Sequence, residues 1–239
     1  MAQGLAWNAR RLGVPCAVIV PDHAPATKLA AIERLGARVV KAPFEQWWKV
    51  IEDHEYPGMD GLFVHPVSDP AVIAGNGTIG LEILEELPDV DAVLVPYGGG
   101  GLSCGIASAI RAQRREARIF ACEVETAAPL SASLAAGRPV SVDYTRSFVD
   151  GIGGKSVLPE MWPLASMLLA GSLVSTLVEV AAAVRLLAER NRVVAEGAGA
   201  TPVAAALAGK AGSGKVVCVV SGGNIDAETL AAILRGQMP

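Results

Sequence analysis

Apolar runs of strand length alternate with helix-period segments along the whole chain, and this alternation restricts it to an α/β architecture. The runs Cys16–Val20, Arg38–Val40, Leu62–Val64, Ala92–Val95, Arg118–Cys122, Ser172–Thr176 and Lys215–Val220 read as strands. Between them Ala2–Leu12, Ala26–Leu35, Phe44–Glu55, Val72–Leu87, Leu102–Arg114, Leu130–Ala136, Val178–Asn191, Pro202–Ala208 and Ala227–Leu234 read as helices. Strand–helix–strand succession requires crossovers, so a mostly parallel sheet flanked by helices is expected. Parallel strands are covered on both faces, and a composition 51% hydrophobic and 18% charged suits them. The pattern breaks at Tyr56–Asp60 and again at His65–Pro70, which places a smaller α/β domain over residues 1–64 and a larger one over 65–239. The segment Gly137–Pro159 is too long and glycine-rich for a simple connector and is expected to approach a ligand.

The net charge of −4 comes from interspersed signs with no basic block, which argues against nucleic acid as a partner. The longest apolar stretch, Leu164–Val184, is interrupted by Ser166, Gly171, Ser172, Ser175, Thr176 and Glu179, so it reads as a helix end, a strand and a new helix, not a membrane span. The N-terminus lacks the basic-then-apolar order of a signal peptide. Cys16, Cys104, Cys122 and Cys218 are far apart and are expected as buried thiols in a reducing cytoplasm.

The chemistry concentrates in glycine-rich turns. Ala92–Val95 runs through Pro96-Tyr97 into Gly98-Gly99-Gly100-Gly101 and then a small-residue helix. Glycines let successive N–H groups turn toward one point, and the helix start adds its positive dipole end, so a phosphate is the natural guest. Near the C-terminus Val217–Val220 ends at Ser221-Gly222-Gly223-Asn224 before another helix. Two such turns at the carboxyl ends of parallel strands are what an open α/β sheet uses to hold a ligand. Ala195–Ala200 is a third candidate wall, in which Glu196 either faces the ligand or caps the following helix. A nicotinamide site is an alternative, since Gly99, Gly101 and Gly105 follow a strand and Glu123 ends the next one. The strict Gly-x-Gly-x-x-Gly spacing fails in every register, however, and the Ser221 turn has no role in that scheme. A binding module that holds a phosphate ligand without turnover is a further alternative.

The order of motifs resembles the threonine/serine dehydratases and serine racemases, pyridoxal-phosphate enzymes of fold type II, and so implies their tryptophan-synthase-β-like α/β fold of two open, mostly parallel, twisted sheets flanked by helices. The motifs are Ala2-Gln3-Gly4-Leu5-Ala6, His65-Pro66 with Asp69-Pro70, Ala74–Ile79 with Glu82-Ile83-Leu84, Gly98–Leu102, Glu196–Ala200 and Ser221–Asn224, and they span essentially the whole chain. The resemblance implies an ammonia-lyase that converts L-threonine or L-serine to a 2-oxo acid and ammonia, with serine racemase and hydroxy-aspartate dehydratase as alternatives within the family. It implies that Gly98, Gly99, Gly100, Gly101 and Leu102 hold the phosphate of pyridoxal 5'-phosphate. Ser221, with Gly222 and Asn224, would meet the pyridine ring, and Gly151 and Glu196 would lie near it. Ala2, Gln3 and Gly4 would meet the amino-acid substrate. A cytoplasmic homodimer without membrane attachment follows from the same likeness.

Two departures matter. The family's Schiff-base lysine lies upstream of a Gly-Asn-x-Ala-Gln-Gly motif, and this chain begins inside that motif at Met1-Ala2-Gln3-Gly4. None of Lys28, Lys41, Lys49, Lys155, Lys210 and Lys215 matches the family position. The expectation is therefore an N-terminally truncated chain with an incomplete first domain, inactive alone. In serine-racemase-like members a divalent cation, Mg or Ca, is bound after the strand that follows the glycine turn. Glu123 and Ala127 match part of that site, but Pro129 stands where a second acid belongs.

Overall fold

The computed structural model describes residues 1–239, which divide into two compact units: Met1–Pro66 with Asn224–Asp226, and Val67–Gly223 with Ala227–Pro239. In the smaller unit β1 (Ala17–Pro21) and β2 (Arg38–Ala42) pair in parallel, Ala17 opposite Arg38. Helices α1 (Ala2–Leu12), α2 (Ala26–Arg34) and α3 (Phe44–Asp53) accompany them. Its core gathers Ala6, Val18, Val20, Ile32 and Ala37. The segment Asn224–Asp226 is held here by two contacts: Gln3 Nε2 donates to Asn224 Oδ1 at 3.0 Å, and the Thr27 amide donates to Asp226 Oδ1 at 3.1 Å. The second contact supplies α2 with the N-terminal acceptor that Pro25, at its N-cap, cannot offer.

The larger unit is built on four parallel strands in the order β5-β4-β3-β6, with β3 Ala92–Pro96, β4 Arg118–Val124, β5 Gly171–Ser175 and β6 Val216–Cys218. Every residue of β3 is buried, as expected of a central strand covered on both faces. One face, with Ala92, Leu94 and Cys122, packs against Ala205 and Ala211. Around the sheet lie α4 (Pro70–Glu86), α5 (Gly101–Gln113), α6 (Pro129–Ala136), α7 (Trp162–Leu168), α8 (Leu177–Leu186), α9 (Gly197–Leu207) and α10 (Ala227–Leu234). None of these helices is long and apolar enough to cross a membrane.

Helices α4 and α5 meet backbone to backbone. A β-carbon on Gly80 would lie 2.8 Å from the Ile106 carbonyl oxygen and 3.1 Å from Ala109 Cβ, and one on Gly105 would collide with the Ile73 carbonyl. Gly77 of the motif Ala74–Ile79 and Gly80 just beyond it thus serve packing, both buried against α5.

Several expectations are corrected. Leu62–Val64 is not a strand. No neighbour pairs with it, Leu62 is 92% exposed, Gly61 turns the chain at φ +137°, and the run ends against His65-Pro66, whose proline has no N–H to donate. Helix α9 begins at Gly197 and carries Pro202 in its interior instead of starting there. The helix over Val178–Asn191 ends in a wider π turn at Leu187–Asn191, closed by Arg192 at φ +60°. Cys104 and Cys122 are buried, but Cys16 and Cys218 are only half-buried.

Glu123 is 1% exposed and does not stand as an open cation ligand. Its Oε1 accepts the Leu130 amide at 2.8 Å, and its Oε2 accepts the Ser131 amide at 2.8 Å and the Ser172 hydroxyl at 2.6 Å. The carboxylate therefore caps α6 from the end of β4, where Ala128, at the N-cap, has no side-chain acceptor. Burial raises the Glu123 pKa, and the three donors oppose that rise by favouring the charged form. Ala127 is also buried, its amide turned back to the Val124 carbonyl.

Glu123→Ala is expected to lower stability by about 1–3 kcal/mol in chemical denaturation, because it leaves buried donors unpaired. Millimolar Mg or Ca should leave the wild-type melting temperature unmoved, and a clear rise on either cation would restore the metal assignment. For Gly80→Ala the usual helix-interior gain of about 1 kcal/mol is expected to reverse into a loss of about 1–3 kcal/mol. A stabilised Gly80→Ala protein would refute the close α4–α5 contact.

Candidate functional site

The central strand β3 delivers the chain to the tetraglycine turn at the carboxyl edge of the larger sheet. Tyr97, fixed by its amide to the Cys122 carbonyl at 2.9 Å, is the last residue before the turn. Gly100 is the N-cap of α5 with φ +99°, a left-handed conformation that glycine adopts without strain. The Cys104 amide closes the first α-helical bond, to the Gly100 carbonyl at 2.8 Å. The amides of Gly101, Leu102 and Ser103 therefore lie at the helix start, where no preceding turn can accept from them. Val67 lies against Gly99 and Gly101 on one side of the turn.

The second and third turns come to the same region of this unit. The Glu196 amide donates to the Gly222 carbonyl at 3.0 Å, tying the start of α9 to the residue after Ser221. A β-carbon on Gly222 would lie 2.7 Å from Glu196 Oε1, and one on Gly151 would lie 3.0 Å from the same oxygen. Glu196 is the N-cap residue of α9 but makes no side-chain cap bond, so its carboxylate serves this inner space and not the helix end. A β-carbon on Gly98 would stand 3.4 Å from Ile152 Cα, which brings the segment Phe148–Gly153 to the tetraglycine turn. Gly98–Leu102, Gly151, Glu196 and Gly222 are therefore one cluster, and Ser221 sits exposed beyond the last β3–β6 bond, from the Val219 amide to the Leu94 carbonyl at 3.0 Å. In the smaller unit Ala2, Gln3 and Gly4 form the first turn of α1, and Gln3 holds Asn224.

These features fit the phosphate end of the implied cofactor. The helix start offers backbone donors and a positive dipole end, and at Gly99 and Gly101 the turn approaches Val67 so closely that a β-carbon would collide with it. Lys210 and Lys215 are committed elsewhere: Lys210 Nζ binds Glu179 at 2.8 Å and the Val174 carbonyl at 2.9 Å, and Lys215 pairs with Asp89.

One feature goes unmarked in the sequence. Tyr97 stands there as a spacer between strand and loop, yet it is a fully buried phenol beneath the turn. Its place directly after a run of inward-facing strand residues is the available signal.

Residues 1–222 match the family described as pyridoxal-phosphate dependent enzyme. An L-threonine ammonia-lyase of Geobacter sulfurreducens is 42% identical over 239 residues, covering 98% of this chain and 59% of that protein. Among solved structures, a T.th. threonine deaminase is 35% identical with a TM-score of 0.80, covering 94% of this chain and 74% of that one. Maize serine racemase is 29% identical with a TM-score of 0.84, covering 98% and 74%. The chain thus spans 59% of the length of the first curated relative. The nicotinamide alternative is set aside by the family match, and the chain belongs to the pyridoxal-phosphate dependent enzymes.

Proposed function

We propose that this chain is the phosphate- and ring-holding portion of an ammonia-lyase acting on L-threonine or L-serine. The observation that carries the reading is the gathering of Gly98–Leu102, Gly151, Glu196 and Gly222 into one cluster at the start of α5. The 42% identity to an L-threonine ammonia-lyase supports the choice of reaction. Backbone amides of the tetraglycine turn and Leu102 grip the phosphate of pyridoxal 5'-phosphate, and the dipole of α5 offsets its charge. Ser221 directs a hydroxyl at the ring nitrogen, with Gly222 shaping the turn and Asn224 following it. A neutral hydroxyl there leaves the nitrogen unprotonated, which suits elimination of a β-hydroxyl better than chemistry that needs a long-lived carbanion. When bound, the cofactor supplies the electron sink for the substrate's α-carbon. Ala2, Gln3 and Gly4 are assigned to the amino-acid substrate. Homodimeric assembly and a cytoplasmic setting belong to the same reading, and four unpaired thiols are in keeping with a reducing compartment.

None of the six lysines of this chain matches the family's cofactor-bearing position, so none is assigned a covalent bond to the cofactor. In equilibrium dialysis the purified chain is expected to bind pyridoxal 5'-phosphate saturably, with inorganic phosphate competing. Borohydride should fix no cofactor on the chain, and L-threonine should yield no 2-oxobutanoate above the rate of free cofactor. Failure of phosphate to compete would remove the tetraglycine turn as the phosphate site. Borohydride-stable labelling with turnover would show that one of the six lysines serves after all.

A further inference from the structure

Tyr97 is 1% exposed, and its hydroxyl oxygen is buried without a hydrogen-bond partner. The tip of its ring lies against the N-cap of α5: a β-carbon on Gly100 would stand 3.1 Å from Cε2, 3.2 Å from the hydroxyl oxygen and 3.4 Å from Cζ. An orphaned buried hydroxyl is unfavourable, and phenylalanine would fill the same volume without that penalty. The position is also specific, because this polar group lies under the residue at which the amides of α5 first become available to an anion. The phenol keeps its proton at all working pH values, since burial first, and then the neighbouring Cys104 and Glu123, push its pKa far above the ordinary range. It can therefore act as a donor.

We propose that the Tyr97 hydroxyl is the side-chain donor of the phosphate site, giving a hydrogen bond to the phosphate group held at the start of α5. This rests on the reading of the tetraglycine turn as a phosphate cup. It adds to the backbone amides a neutral donor whose unmade bond destabilises the ligand-free protein and is relieved when phosphate arrives. Ligand-free and ligand-bound proteins should then respond to loss of the hydroxyl in opposite directions.

The test compares the wild type with Tyr97→Phe, using inorganic phosphate and pyridoxal 5'-phosphate as probes. Without ligand, Tyr97→Phe should melt at or above the wild-type temperature. With either probe its affinity should fall on the order of tenfold, its ligand-induced rise in melting temperature should shrink, and the phosphorus-31 resonance of the bound phosphate should move. Equal affinities and an unmoved resonance would overturn the role of Tyr97 while leaving the phosphate cup standing. A wild-type protein that binds neither probe would overturn the cup itself. Should Tyr97→Phe not fold, the same question is answered in Y56F/Y144F, whose remaining tyrosine is Tyr97. Phosphate should shift its tyrosine bands in ultraviolet resonance Raman, and unchanged bands would end the proposal.

Discussion

The backbone-to-backbone contact of α4 with α5 is the constraint on which the site rests. Where Gly77 meets Gly105 and Gly80 meets Ile106, the two helices approach until carbonyl oxygens would stand 3.2 and 2.8 Å from added β-carbons. Such an approach leaves α5 little freedom to slide, because interiors packed at this density resist small displacements. The amides at its start are therefore set in place by a helix that precedes the sheet strand in sequence. A loop built of glycine is intrinsically the least ordered part of a chain. Here it is held between a fully buried strand and a helix with a fixed position, so its donors are ordered before any ligand arrives.

Remote residues supply several of the helix caps in this protein. Glu123 reaches from a strand end to α6, and Asp226 reaches from beyond the last strand to α2. Local capping also occurs, as in the reciprocal Thr176–Glu179 pair at α8 and Asp69 at α4. Caps built from distant sequence join the order of one element to that of another, so loss of one carboxylate loosens both a helix start and its anchor. Glu196 is the converse case. It occupies a cap position, makes no cap bond, and turns its carboxylate toward two glycines.

Much of this is legible in the sequence, for reasons particular residues make clear. Ala92–Val95 is readable as a buried strand because nothing polar interrupts it, and Gly98–Gly101 is readable as the turn between that strand and a helix because apolar strand residues precede it and small helix-forming residues follow. Helix α1 begins and ends as its periodicity demands, with Gly13 in the left-handed conformation at its end. The features that sequence misplaces depend on partners it does not display. Leu62–Val64 has the composition of a strand but no neighbour to pair with. Pro202 marks a helix start by propensity, yet the buried small residues Gly197–Thr201 extend the helix ahead of it. Glu123 stands at a family cation position by resemblance, and the amides of Leu130 and Ser131 from which its carboxylate accepts are set by how the next helix docks.

The assignment of Asn224–Asp226 to the smaller unit has a consequence for how such a chain can be divided. The polypeptide passes from one unit to the other at Pro66, at Gly223 and again at Asp226, so no single cut yields two self-sufficient fragments. A peptide ending at Pro66 would forfeit the acceptor for the Thr27 amide and the partner of Gln3, both carried far downstream. The smaller unit is a borrower: its integrity is inherited jointly with the segment that follows Ser221. Recombination or gene fission between the two would have to move that short return loop as well.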